Sequence, residues 1–223
     1  MSSYPEILGE YALILLGGEI TDLAIFQKMA ATARIIVCAD SGAKHARLLD
    51  LNVDVIVGDL DSISKETLEY YRERGSEIVQ MAEQESDDFE KALRYLNGRF
   101  KGYVRILGIS GNRTDHMLTN FSVMLRYSDS FESLVAYDDS AEHQFLTAKR
   151  NNCSITCPVG TTISLTPFGE AIGVTTQNLR YPLISEDLRL GEREGLSNVA
   201  TGTPITITIV SGALLVTVNS LPA

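Results

Sequence analysis

Basic residues are scarce in this chain: 19 Lys and Arg stand against 29 Asp and Glu, a formal net charge of −10 over 223 residues. Nucleic acid and anionic lipid reward basic surfaces, so neither is expected as a partner, and an anionic substrate would need help from a metal or a placed arginine. No apolar run approaches the roughly 20 residues of a membrane helix. The opening Met1-Ser2-Ser3-Tyr4-Pro5-Glu6 has neither a basic flank nor a cleavage site, so a soluble, cytoplasmic protein is expected. Only three cysteines occur, Cys38, Cys153 and Cys157. They form no even framework, and no second pair or nearby histidine completes a zinc site, so they read as structural thiols in a reducing compartment. Internal repeats and low-complexity tracts are absent too. What is present, a 44% hydrophobic content, suffices to bury a core.

The patterning changes part-way along the chain. Up to residue 139, short apolar runs alternate with longer amphipathic stretches, the grammar of a parallel sheet covered by helices, α/β and Rossmann-like. Ala12 to Leu16, Arg34 to Ala39, Val53 to Val57, Ser76 to Met81, Tyr103 to Leu107 and Ser133 to Tyr137 read as strands rich in Val, Ile and Leu. Lys65 to Arg74, Asp88 to Asn97 and Thr114 to Tyr127 carry apolar residues at helical spacing. From residue 140 to 223 the helical signal vanishes, and Thr, Val and Ile alternate in Thr161 to Thr166, Ile205 to Val210 and Leu214 to Val218, which predicts an antiparallel β-sandwich domain. A stretch of turn formers and charges, Glu186 to Gly202, is expected as a long loop interrupting it.

The position of the acids is the informative feature. Asp40, Asp59, Asp61, Asp88 and Asp115 each fall shortly after a predicted strand. Ligands of open parallel sheets bind beyond the carboxyl ends of the strands, so these residues are expected to converge on one acidic site. In Gly58-Asp59-Leu60-Asp61-Ser62, strand alternation would put both carboxylates on one side, as hard oxygen ligands suited to Mg²⁺; an Asx turn closing the strand is the competing account. Glu85-Ser86-Asp87-Asp88-Phe89-Glu90 crowds four acids at a helix start. The helix dipole explains Asp87 and Glu90, but mutual repulsion makes the crowding costly unless a cation is shared. In Gly108-Ile109-Ser110-Gly111-Asn112-Arg113-Thr114-Asp115-His116 the glycines would let backbone approach phosphate and Arg113 supplies a planar fork, although an ordinary loop with Thr114 as cap accounts for it equally. His116 reads as a base, a metal ligand or a structural histidine. Cys38-Ala39-Asp40-Ser41-Gly42-Ala43 adds an acid and small residues at another strand end.

Taken in order, these strings resemble the thiamin pyrophosphokinase family, over most of the chain. Its pattern runs Ala-Asp-Gly-Gly-Ala, Gly-Asp-Phe/Leu-Asp-Ser, an acidic turn ending Thr-Asp, then Gly-x-Arg-x-Asp-His. This sequence supplies Ala39 to Ala43, Gly58 to Ser62, Glu85 to Asp88 and Gly111 to His116, and Gly195-Leu196-Ser197-Asn198 is similar to the family's C-terminal Ser-Asn. Ser41 replaces a usual glycine and Asp87 a usual threonine; neither change removes a carboxylate.

The resemblance implies transfer of the terminal diphosphate of ATP to the hydroxyethyl arm of thiamin, with AMP leaving. Phosphoryl transfer is catalysed mainly by positioning and charge neutralisation, so a metal cage and an arginine are the expected parts. On this reading Asp59, Asp61 and Asp88 hold Mg²⁺, while Asp40, Ser41, Gly111 and Arg113 contact ATP. Asp61, Asp88, Arg113 and Asp115 form the catalytic set, with Asp115 either holding Arg113 or steering the attacking hydroxyl. Ser197, Asn198 and Tyr181 are implied to hold thiamin, in a homodimer whose β domains pair and lend residues across the interface. A pyrophosphokinase for another alcohol such as a pterin, a phosphohydrolase and a noncatalytic Mg-nucleotide sensor are the competing classes.

Overall fold

A computed structural model describes residues 10–111 and 113–219. They divide into two compact units, 10–139 and 140–219.

The first unit is a six-stranded parallel sheet. Its strands are β1 (Tyr11–Leu15), β2 (Ile35–Ala39), β3 (Val55–Gly58), β4 (Glu77–Gln80), β5 (Tyr103–Leu107) and β6 (Ser133–Tyr137). They lie in the order β4-β3-β2-β1-β5-β6, and every pairing is parallel. The central strands are apolar on both faces because helices cover both; all five residues of β1 are buried. The connections carry α1 (Leu23–Thr32), a 3₁₀ turn at Asp40–Gly42 that runs into α2 (Ala43–Leu48), α3 (Lys65–Glu73), α4 (Asp88–Leu96) and α5 (Thr114–Tyr127). Side chains fix three of the helix starts. Asp22 accepts from Ile25 N, Ser64 from Thr67 N and Asp87 from Glu90 N, at 3.0, 3.1 and 2.7 Å. The chain order reverses between β1 and β5, so the loops leaving these two strands part there, the usual place for a ligand crevice in such sheets.

The second unit is antiparallel throughout and has no helix among the described residues. It comprises β7 (Ala141–Thr147), β8 (Asn152–Ile155), β9 (Thr162–Gln177), β10 (Glu186–Arg189), β11 (Gly195–Val199), β12 (Ile205–Thr208) and β13 (Ser211–Asn219). β13 lies between β7 and β9, and β12 between β8 and β9. The 16-residue β9 therefore serves two groups of strands, and Gly169 and Gly173 within it both take positive φ. Leu146, Ile163, Leu165, Val174, Leu188, Ile207, Leu214 and Val216 meet in its core.

Glu186 to Gly202 is not an uninterrupted loop: β10 and β11 lie within it and both pair with β9. Each is short and broken by a bulge, so neither shows the alternation by which a strand is read.

Candidate functional site

Two strand ends and a helix start converge on one group of acids. The backbone leaves β2 through Asp40, which adopts φ 38° and starts the 3₁₀ turn. Asp59 follows β3 directly, and Asp88 opens α4, which packs over β2 and β3. One carboxylate oxygen from each of Asp40, Asp59 and Asp88 lies within 4.8 Å of the other two. Gly58 keeps this gap open: a Cβ there would stand 2.8 Å from the Asp40 Cβ and 3.1 Å from Asp88 Oδ1.

The acids are not equivalent. Asp40 is fully buried; its Oδ2 accepts from the Ser62 amide at 3.2 Å, while its Oδ1 finds no partner among the described residues. Burial pushes its carboxyl up to about 6; the Ser62 amide opposes this, and the charges of Asp88, Asp59 and Asp61 reinforce it. Asp88 is raised by burial as well, against the pull of Lys91. Asp59 is held below the usual range: burial works against it, but the Asp61 amide, the Lys91 ammonium and the Gln84 side chain prevail.

Lys91, which the sequence reading passed over, is only 1% exposed, and its Nζ sits 3.2 Å from Asp88 Oδ1 and 3.6 Å from Asp59 Oδ2. Three carboxylates and one ammonium leave a net charge of −2, which a divalent cation would balance. That charge, the all-oxygen donor set and the orphaned Asp40 oxygen fit a hard cation such as Mg²⁺. The only sequence signal for Lys91 was its place three residues after Asp88 and directly before Ala92 and Leu93, on the apolar face of α4.

Asp61 stands differently from the expectation. β3 ends at Gly58 and Leu60 takes φ 69°, so strand alternation does not carry through to Asp61. Its amide donates to Asp59 Oδ1 at 3.2 Å and its carboxylate accepts from Ser62 Oγ at 2.8 Å, leaving the side chain exposed beside the trio. The adjacent acids of the second string divide their work: Asp87 caps α4 and Asp88 belongs to the trio.

The Gly108–His116 string leads into α5, with Arg113 at the cap position and Thr114 as first helical residue. Arg113 Nε and Nη2 donate to the two Asp115 oxygens at 2.9 and 2.6 Å, a side-on pair on the surface that holds the Asp115 carboxyl well below the usual range. His116 is exposed on the same turn.

A glycine pair directly after β1 was also missed, although Gly17-Gly18 following an apolar strand was a readable signal. Gly18 N donates to Gly108 O at 3.1 Å and Glu19 N to Ser110 O at 2.8 Å. A Cβ at Gly18 would come within 2.2 Å of two carbonyl oxygens, and one at Gly111 within 3.1 Å of Glu19 N. Farther along, the Thr21 and Asp22 amides donate to Asp139 Oδ1 at 3.0 and 3.1 Å. The loop leaving β1 is thus tied to the ends of β5 and β6. Ser41 stands over it: a Cβ on Gly17 would lie 2.0 Å from Ser41 Oγ.

In the antiparallel unit, Asn198 is buried and Tyr181 is 65% exposed. Asn198 Oδ1 accepts from the Tyr181 amide at 3.0 Å and Nδ2 donates to the Tyr181 carbonyl at 2.7 Å, so the asparagine fixes the backbone that presents the aromatic ring. Ser197, at φ 58°, is anchored by its amide to Ser164 Oγ at 3.1 Å.

Comparison with known proteins agrees with this division of the chain. The family model described as "Thiamin pyrophosphokinase, catalytic domain" matches residues 26–136, and "Thiamin pyrophosphokinase, vitamin B1 binding domain" matches residues 142–214. The chain belongs to the thiamin pyrophosphokinase family. Among curated members, thiamine pyrophosphokinase 1 of Oryza sativa subsp. japonica is 31% identical over 202 residues, covering 79% of this chain and 75% of that protein. Thiamine pyrophosphokinase 3 of the same plant is 26% identical, covering 95% and 87%. The fold is that of the family's solved structures. The Candida albicans thiamin pyrophosphokinase superposes with a TM-score of 0.83 at 18% identity, covering 94% of this chain and 88% of its own. The Bacillus subtilis enzyme gives 0.81 at 21%, covering 95% and 99%.

Proposed function

We infer that this chain is a thiamin diphosphokinase, moving the diphosphate of ATP to the hydroxyethyl oxygen of thiamin and releasing AMP. The observation that carries the reading is the trio of Asp40, Asp59 and Asp88 at the carboxyl edge of the parallel sheet, with a buried oxygen that lacks a protein donor. Asp40, Asp59 and Asp88 would hold Mg²⁺, and Asp61 would meet the ion or its phosphates from the exposed rim. The ion, when bound, supplies neutralisation of charge on the phosphate oxygens. Arg113 has its Nε and Nη2 engaged side-on by Asp115, so a phosphate would meet its Nη1 end, and the guanidinium would arrive already aimed. Asp40, Ser41 and Gly111 lie on the loops beside the trio and the β1–β5 parting, where the nucleotide is proposed to sit.

Thiamin is proposed to be held by the antiparallel unit, with the Tyr181 ring against its flat, cationic ring system and Ser197 and Asn198 setting the backbone there. A cation over an aromatic face contributes about 0.5–2 kcal/mol. Tyr181, Ile184, Leu190, Leu196 and Val210 leave apolar surface exposed in this unit, which supports a homodimer built through it. Sedimentation equilibrium at micromolar concentration checks the dimer. The thiols of Cys38, Cys153 and Cys157 are free, in keeping with the cytoplasm, and no helix among the described residues is long and apolar enough to cross a membrane.

Incubation with ATP, Mg²⁺ and thiamin tests the function. AMP with thiamin diphosphate is the expected result. ADP with free phosphate would make the chain a hydrolase, and no turnover with retained nucleotide binding would make it a sensor.

A further inference from the structure

We propose that Lys91 is a built-in counter-cation: a positioning residue whose buried ammonium holds Asp59 and Asp88 in place for the metal. The proposal rests on the reading of Asp40, Asp59 and Asp88 as a metal site.

Long lysine side chains normally carry the ammonium to water. This one does not, whereas Arg94 on the same helix is exposed. With a residue exposure of 1%, Lys91 lies among Phe89, Ala92, Leu93 and Leu96, the apolar residues that seat the helix. Its Nζ reaches one oxygen of Asp88, one helical turn earlier, and one oxygen of Asp59, on the loop after β3. It thereby couples two elements that each contribute one carboxylate to the trio. Burying an ion costs several kcal/mol unless it is well paired, so a buried lysine of no consequence would be a poor choice for this position. Three carboxylates within 4.8 Å also repel one another, and without the ammonium that repulsion falls wholly on a cation from solution. Asp40 is the acid Lys91 is not seen to touch, and its Oδ1 is the oxygen left without a partner. The ammonium thus compensates one side of the trio and leaves the other side for the metal.

The experiment compares Lys91→Met, of similar length and no charge, with the unaltered chain. Melting temperatures are read in EDTA and in saturating Mg²⁺, and Mn²⁺ binding to the metal-free protein is titrated by electron paramagnetic resonance. The unaltered chain is expected to bind Mn²⁺ and to gain only the modest rise in melting temperature that metal binding to the folded state brings. Lys91→Met is expected to lose roughly 5–10 °C in EDTA and to recover most of it in Mg²⁺. Equal melting shifts on adding Mg²⁺ in the two proteins would overturn the proposal, since a lysine that merely packs leaves no metal-dependent deficit. If Lys91→Met fails to fold in EDTA, the double variant Lys91→Met/Asp88→Asn decides. Folding without metal supports charge compensation, and failure overturns it. Absence of Mn²⁺ binding to the unaltered chain would instead remove the metal reading itself.

Discussion

At the scale of single residues, the acids make separate predictions. Asp40 is raised to about 6 in the folded protein, so the native state binds a proton more tightly than the unfolded chain does. The stability it contributes is full below the ordinary carboxyl range and is lost as pH rises through about 6. Asp40→Asn is therefore expected to stabilise the metal-free protein at neutral pH by about 2 kcal/mol, with the gain vanishing near pH 4, while abolishing turnover. Urea melts at several pH values in EDTA check this, and a pH-independent difference would refute the charge argument. Asp61→Asn is expected to act through the metal, cutting turnover at least tenfold and raising the Mg²⁺ concentration for half-maximal rate. A normal rate with normal metal dependence would leave Asp61 as a turn residue bonded to Ser62. Arg113→Lys should lose at least tenfold in kcat/KM for ATP although the charge is kept, because an ammonium cannot be held side-on by Asp115 and face a phosphate as a planar group does. Steady-state kinetics with varied ATP measures it. Much of this was readable beforehand, since an acid after a run of Val and Ile is conspicuous. Lys91 was not, because a lysine in an amphipathic stretch reads as solvent-facing until its two carboxylate neighbours are known.

Among the elements, legibility follows continuity. β5 at Tyr103–Leu107, β6 at Ser133–Tyr137 and α5 at Thr114–Tyr127 fall on the expected residues, because each is a pure example of its periodicity. β10 and β11 were hidden by their shortness and bulges, and the alternation carried on to Asp59 and Asp61 failed because a left-handed Leu60 leaves no trace in a hydropathy pattern. The glycines between elements were legible as turns but not as contacts. Gly42 shows the difference: a Cβ there would lie 2.0 Å from the carbonyl oxygen of Leu15, at the carboxyl end of β1. Gly42→Ala should therefore cost about 1–3 kcal/mol and shift the turn that carries Asp40. Denaturant unfolding measures the first effect and Mg²⁺ titration the second; an alanine tolerated without change would show that the turn yields.

For the whole molecule, the proposed homodimer makes a complementation experiment available. Asp59→Asn disables the parallel unit, and a Tyr181→Ala/Ser197→Ala variant disables the antiparallel unit. If each working site draws its two halves from different subunits, equal mixing with free exchange makes half the molecules mixed dimers with one intact site, and roughly a quarter of full activity returns. No recovery, with exchange confirmed by mass, would place both halves in one subunit. The change of pattern near residue 140 was visible in the sequence because helical spacing stops there, whereas the role of each strand beyond it was not, since antiparallel pairing is set by contacts far apart in the chain. β13 illustrates this: the last described strand to be made is a central one, shared by β7 and β9. During synthesis residues 10–139 can condense as they leave the ribosome, but the edges of β7 and β9 that face β13 stay unpaired until that strand is made. Through that interval the two open edges are places where the nascent chain can aggregate or meet a chaperone.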